Sequence, residues 1–284
     1  MLIFKTVVDL QQFLFSCDNK TIGFVPTMGA LHQGHLSLMA KAIEENDLMV
    51  CSIFVNPTQF NNKEDLEKYP RHTDKDLALI QNAFADDTKL VIFLPDVKEI
   101  YPNKIEKSYD FGNLSLVMEA QHRPGHFDGV GMVLERFFDI IQPTKAYFGE
   151  KDFQQLAVVR NLVKQLKLPV QIIGCPIVRE ANGLAMSSRN ERLTPEQKEQ
   201  AANIYKFLQE VKQQAKTFTV EEVKNNFVKA IKNIPTLQLE YAEIVDGNTL
   251  LSVNDWNETN YCVAFTAVFV GNVRLIDNIT LFYS

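Results

Sequence analysis

The feature that narrows the fold most is a regular alternation over the first 175 residues. Five apolar runs stand out: TIGFV (21–25), LMVCSIFV (48–55), KLVIFLP (89–95), KAYFG (145–149) and VQIIGC (170–175). Helical patterns lie between them, over 35–45, 72–85, 130–141 and 152–166. The runs are short and rich in Val, Ile and Phe, as strands buried on both faces are. Strand alternating with helix implies a parallel sheet joined by right-handed crossovers. Long loops interrupt the pattern after 55 and after 95.

The character changes after residue 177. In LTPEQKEQ, Thr194 is placed to cap a helix, with Pro195 at its first position and Gln197 completing a capping box. A helix of about twenty residues should follow. A second is expected over 219–233, stopped by Pro235. LQLEYAEIVD, YCVAFTAVFV and VRLIDNITLFY then read as strands with short connections, hence antiparallel. The expected architecture is α/β: a Rossmann-like, doubly wound parallel-sheet domain over 1–177 and a smaller α+β lid domain over 178–284. The length of 284 residues agrees with about two domains.

The bulk composition excludes several classes. A net charge of −6 argues against a nucleic-acid surface, which needs a basic stripe, but leaves room for a local basic pocket. No apolar run approaches a membrane span, and the first twenty residues lack a signal-peptide core. Cys17, Cys51, Cys175 and Cys262 are far apart, and three lie in apolar runs. They read as buried thiols in a reducing compartment, so a cytoplasmic protein is expected.

Ligands of a doubly wound sheet bind beyond the carboxyl ends of its strands. There the chain places PTMGALHQGH, NPTQF, PDVKEIYP, GEKDFQQ and PIVREANGLAMSSR. Most of these are dense in Gly, His, Lys, Asn, Gln or Ser. In the first, Gly29 permits a sharp turn and close approach of backbone to a ligand. Gly34 sits where a helix begins, and the unpaired N–H groups there favour phosphate. His32 and His35 share one side of the first turn and can donate to phosphate oxygens. A zinc site fits less well: it needs a third ligand, and helical zinc pairs stand at i and i+4. Two satisfied histidines at a helix cap remain the plain alternative.

PTMGALHQGHLSL contains the HxGH form of the HIGH signature of nucleotidyltransferases and class I aminoacyl-tRNA synthetases. SIFVNPTQF, EDLEKYPR, RPGHFDGV, FGEKDFQQLAVVR and GLAMSSRN follow in order. Together, from about residue 2 to 279, they closely resemble the pantothenate synthetase (pantoate–β-alanine ligase) family. The resemblance implies condensation of pantoate with β-alanine through an enzyme-bound pantoyl adenylate, with release of AMP and pyrophosphate. It implies that Met28, Gly29, Ala30, Leu31, His32, Gln33, Gly34 and His35 line the ATP site, with His35 as general acid. Gly149, Glu150, Lys151 and Asp152 match the second ATP segment, Asp152 near the ribose. Val178 matches the position whose backbone meets adenine. Met186, Ser187, Ser188 and Arg189 match the counterpart of the KMSKS loop. The catalytic set is thus His32, His35, Lys151 and Arg189. Gln59 and Gln155 match pantoate ligands, and Asn56 shapes the Gln59 loop or touches pantoate. Magnesium is expected on the ATP phosphates and no dedicated metal cage is seen; the Asp74 and Asp76 pair reads as a solvated helix face. The family is usually dimeric.

Four positions depart from the family pattern: Thr58 for a frequent Met, Asp128 for Arg, Met132 for Thr and Arg136 for Lys. Other adenylyl transfer on this scaffold would lack the Gln59 and Gln155 pair. A tRNA-charging enzyme fits an acidic chain badly. A non-catalytic nucleotide binder would have little reason to hold His32, His35, Lys151 and Arg189 together.

Overall fold

The computed structural model describes residues 1–17, 20–85, 87–103 and 107–283. Contacts divide the chain into two units. The first comprises Met1–Phe111, Arg123–Glu150 and Gln155–Pro176; the second comprises Gly112–His122, Lys151–Gln154 and Ile177–Ser284. The first half of the chain runs β1 (Leu2–Phe4), α1 (Val7–Ser16), β2 (Ile22–Thr27), α2 (Gln33–Glu45), β3 (Leu48–Ile53), α3 (Lys63–Glu67), α4 (Thr73–Ala83) and β4 (Leu90–Phe93). There follow α5 (Val97–Ile100), α6 (Glu119–His122), α7 (His126–Ile141), β5 (Lys145–Gly149), α8 (Phe153–Leu166) and β6 (Gln171–Cys175). The chain ends with α9 (Pro195–Gln214), α10 (Val220–Lys232), β7 (Leu237–Asp246), β8 (Tyr261–Val270) and β9 (Val273–Tyr283).

In the first unit the strands form one parallel sheet in the order β1-β4-β3-β2-β5-β6. Successive strands step outward from β2 to β4, and the chain then returns to the other side of β2. The switch point therefore lies between β2 and β5. These two strands pair only at Gly23 and Phe24, whereas β2 follows β3 from Ile22 through Thr27. Pro26 has no N–H to give to β5, so the end of pairing costs the ladder nothing there. The sheet parts at this point, and the carboxyl end of such a switch is where ligands of doubly wound sheets bind.

The predicted strands and helices of this unit are present, with ends shifted by a few residues. β1 and α1 were not anticipated. β1 is three residues long, on the sheet edge, and carries exposed Leu2 and Ile3, so it lacks the buried-strand pattern. α1 starts at a Thr6 cap whose hydroxyl accepts the Asp9 N–H at 3.2 Å. The loop expected after 55 contains a 3-10 turn at Pro57–Gln59 and α3. Burial pushes the Cys51 thiol up to about 12, so it stays protonated; all four cysteines are free thiols. No helix among the described residues is long and apolar enough to cross a membrane.

The second unit is an antiparallel sheet in the order β7-β8-β9, with α9 and α10 in its core. Ile204 and Leu208 of α9, Phe227 and Ile231 of α10, and Val268 and Leu275 of the strands share that core. The Thr194 box forms as expected: its hydroxyl accepts the Gln197 N–H at 3.2 Å, and the Gln197 amide accepts the Thr194 N–H at 3.0 Å.

A buried ionic cluster ties α6 to this sheet. Arg274 donates to both oxygens of Glu119 at 2.9 and 2.7 Å and to Glu240 at 2.9 and 2.5 Å. The Tyr241 hydroxyl donates to Glu119 at 2.8 Å. Burial opposes the Arg274 charge, but hydrogen bonds and attraction from Glu119 and then Glu240 outweigh it and raise its pKa. Glu119 is 6% exposed, so water cannot replace the two charge-assisted bonds that removal of the Arg274 guanidinium would take away. Arg274→Met should cost about 3–5 kcal/mol. The check is urea unfolding followed by the fluorescence of the single tryptophan, Trp256. Arg274→Lys should recover only part of the loss, because an ammonium lacks the planar fork.

Candidate functional site

The first unit carries one group of expected site residues at the carboxyl end of β2. The turn begins with the Thr27 hydroxyl, which donates to the Ser52 carbonyl at 2.7 Å and accepts the Gly29 N–H at 3.3 Å. Gly29 and Ala30 both take positive φ, 80° and 49°. Successive left-handed residues turn the next N–H groups to one side. That pair of donors is filled from within. Asp76 accepts the Ala30 N–H at 2.9 Å and the Leu31 N–H at 2.7 Å through its two carboxylate oxygens. It is 3% exposed, so the solvated-face reading of this residue is corrected. Each bond to a charged acceptor contributes about 1.5–3 kcal/mol. Together they outweigh the cost of about 1–2 kcal/mol for alanine in the left-handed region.

The next step is a reciprocal cap. The His32 Nδ1 accepts the Gly34 N–H at 3.1 Å, and the His35 Nδ1 accepts the His32 N–H at 3.3 Å. The two rings lie 4.1 Å apart at α2's first turn. This answers why histidines stand three apart here: each supplies an acceptor to a backbone donor that the helix cannot satisfy. It also assigns the tautomer. An Nδ1 that accepts carries no proton, so each neutral ring holds its proton on Nε2. Both rings are half-buried, and each Nε2–H is a donor suited to an anion. Gly149 ends the neighbouring strand β5 and Glu150 opens the 3-10 turn that follows; both are half-buried as well.

A polar cluster lies at the end of β3. Asn56, 1% exposed, donates to the Gln59 side-chain carbonyl and to the Gly129 carbonyl, both at 3.1 Å. The Gln59 amide donates to the Met28 sulfur at 3.1 Å, which joins this cluster to the β2 turn. Tyr101 and Thr58 hydroxyls both donate to the Asn56 side-chain oxygen Oδ1, at 2.9 Å. Thr58, one of the departures, is thereby part of the cluster. Asp128, another, accepts the Tyr109 N–H at 3.0 Å and pins that segment. Nothing in the structure explains Met132 or Arg136. Gln155 is half-buried near the start of α8, while its neighbour Gln154 is spent on the second unit's own carbonyls of Leu114 and Val117 at 2.9 Å.

Three residues that the sequence reading did not assign to the site hold these groups. Asp76 is one. His126, 4% exposed, makes a 2.8 Å hydrogen bond through Nδ1 to the Gln59 backbone carbonyl. Gly129 lets α7 approach the Pro57–Gln59 turn: a Cβ there would lie 2.3 Å from the Thr58 carbonyl oxygen. The available signal for Asp76 was its i, i+4 relation to buried Ile80 on α4.

The second unit carries another group. Residues 178–186 form a tight hairpin: the Met186 N–H donates to the Val178 carbonyl at 3.0 Å, and Gly183 takes φ 95° at the tip. Arg179 fixes it to β9 by two bonds to Asp277, at 2.7 and 2.9 Å. Ser187 caps the following 3-10 turn and accepts the Arg189 N–H at 3.3 Å. Ser188 is buried and Arg189 half-buried. Lys151 precedes α8; its carbonyl accepts from Asn278 at 3.0 Å, and its ammonium lies 3.9 Å from the exposed Asp152 carboxylate. Among the described residues no group of three or more His, Cys, Asp or Glu is arranged to hold a metal ion.

Comparison with known proteins shows the family to which the chain belongs. The family model for pantoate–β-alanine ligase matches residues 2–280. A pantothenate synthetase from Flavobacterium psychrophilum is 52% identical over 284 residues, covering 99% of this chain and 100% of the relative. Among solved structures, the pantothenate synthetase of Thermus thermophilus superposes with a TM-score of 0.92 at 40% identity, covering 99% of this chain and 100% of that one. A pantoate–β-alanine ligase from Francisella tularensis, solved with β,γ-ATP and β-alanine, gives 0.81 at 36% identity, covering 99% and 98%. With both the parallel-sheet unit and the antiparallel unit matched along nearly its whole length, the chain belongs to the pantoate–β-alanine ligase family and is a ligase of that reaction.

Proposed function

We propose that the chain joins pantoate to β-alanine in two steps through an enzyme-bound pantoyl adenylate, with the capped histidine pair serving the first step. A pantoate carboxylate oxygen attacks the α-phosphorus of ATP. The bond to the bridging oxygen breaks, and pyrophosphate leaves with the electron pair. The observation that carries this reading is the Nδ1 acceptance by both histidines, which puts each ring's proton on Nε2, an atom able to donate to oxygens that gain charge. Neutral imidazole donors suit this step; they stabilise the leaving group by hydrogen bonding, so His35 need not start as an imidazolium. Lys151 and Arg189 supply positive charge to the β- and γ-phosphates, and Ser187 and Ser188 supply hydroxyl and backbone donors. Met28 to His35 and Gly149 to Asp152 line the nucleotide, with Asp152 on the ribose and the Val178 backbone on adenine, while Met186 belongs to the Met186–Arg189 segment at the phosphates. Magnesium enters as part of the substrate, on the phosphates.

Gln59 and Gln155 hold the pantoate hydroxyls and carboxylate, and Asn56 fixes Gln59. Neutral amides orient the carboxylate without the full positive charge that would blunt a nucleophile. In the second step the β-alanine amine attacks the acyl carbon, loses a proton, and AMP departs. The same family reading makes the enzyme a cytoplasmic homodimer; its buried protonated thiols suit a reducing compartment.

His35→Ala should lower pantoate-dependent exchange of labelled pyrophosphate into ATP about 100-fold or more. Unchanged exchange would remove His35 from the reaction. Gln155→Ala should raise the KM for pantoate far more than that for ATP; equal rises would contradict its assignment. Gly129→Ala should act like Gln155→Ala, by pushing the Gln59 turn away from α7, and a KM pattern confined to ATP would count against it.

A further inference from the structure

We propose that Asp76 is a positioning residue for adenylate formation: it fixes the Ala30–Leu31 backbone and thereby sets where the His32 and His35 donors stand. The inference rests on the proposed reaction. Asp76 reaches the turn from α4, across 45 residues of chain, and meets two consecutive N–H groups with two oxygens. One of those N–H groups belongs to Ala30, held at positive φ; the other belongs to the residue just before His32. The carboxylate is buried, so water cannot take over its bonds. Gly29 gives it room: a Cβ there would lie 3.0 Å from an Asp76 oxygen. The ring of His32 and the ring of His35 hang from the backbone that follows directly, through their reciprocal cap. A shift of the Ala30–Leu31 peptide carries both Nε2–H donors with it.

This role differs from an effect of charge. On charge alone, neutralising a carboxylate beside a triphosphate site would favour ATP. Loss of position predicts the reverse. Asp76→Asn keeps one acceptor and turns an NH2 group toward the other backbone N–H, so one bond becomes a donor–donor contact. Asp76→Glu keeps the charge and both oxygens on a stem one methylene longer.

The test compares two half-reactions in the full-length wild type and both variants. One is pantoate-dependent pyrophosphate exchange into ATP. The other is AMP release from chemically prepared pantoyl adenylate with β-alanine, which needs no attack on phosphorus. Their ratio does not depend on how much of a preparation is folded. In Asp76→Asn the ratio should fall about 10- to 100-fold, with kcat for exchange carrying the loss; Asp76→Glu should recover part of it. If Asp76→Asn yields too little soluble protein, a ratio lowered in Asp76→Glu supports the proposal on the same terms. A ratio equal to wild type in the variants that can be measured would overturn it, because Asp76 would then serve stability alone. A wild type with no pantoate-dependent exchange would instead remove the adenylate reading and this proposal with it.

Discussion

The structure of the first unit depends on how one turn is held at the carboxyl end of β2. Three backbone problems arise in succession there: two residues in the left-handed region, two N–H groups facing inward, and the open first turn of α2. Buried Asp76 satisfies the two N–H groups, and the histidines satisfy the helix mouth. The solution has a chemical consequence. Because Nδ1 of each imidazole is used for the fold, Nε2 holds the proton, and the same bonds that cap the helix choose the donor atom. On the proposed mechanism, structure and chemistry are served by opposite sides of one ring.

The surrounding sheet leaves this turn outside its ladder. β2 stops pairing with β5 after Phe24, and Pro26 removes the donor that would continue the ladder. The polar cluster at the end of β3 then meets the turn through Gln59 and Met28. Gly129 and His126 keep that cluster in place from α7, one by lacking a side chain and the other by a hydrogen bond to backbone. The second unit solves a separate problem. Its Val178, Met186, Ser187 and Arg189 are gathered on a short hairpin and turn, anchored by the Arg179 fork on Asp277. Glu119 and Arg274 anchor α6 to the same sheet.

Much of this was legible in the sequence because it rests on local pattern. Buried strands read as short Val-, Ile- and Phe-rich runs, and Thr194-Pro195 with Gln197 announced α9. β1 was missed because three exposed edge residues carry no such pattern. Residues expected to act on ligand from HxGH, NPTQ and SSR fall at strand ends, a helix mouth and a 3-10 turn. The residues that hold them were not legible, since their partners are remote in sequence. Asp76 lies 45 residues from the Leu31 N–H it accepts, and His126 lies 67 from the Gln59 carbonyl. A charged residue in a polar helix reads as solvated unless its partner is known, and nothing local to Asp76 names Ala30. Thr58 and Asp128 looked like departures from a pattern; in space each is a hydrogen-bonding partner of a nearby segment.

Whether the helix cap sets the donor atom of each histidine is decided by the protonation of the imidazole nitrogens. Nitrogen-15 NMR on histidine-labelled protein at neutral pH, with His32 and His35 signals assigned by single substitutions, reads each ring's tautomer. The account predicts an unprotonated Nδ1 and a protonated Nε2 on both rings, with the Nε2 signals moving when a non-hydrolysable ATP analogue and magnesium are added. A proton on Nδ1 of either ring, or Nε2 signals indifferent to the nucleotide, would contradict it.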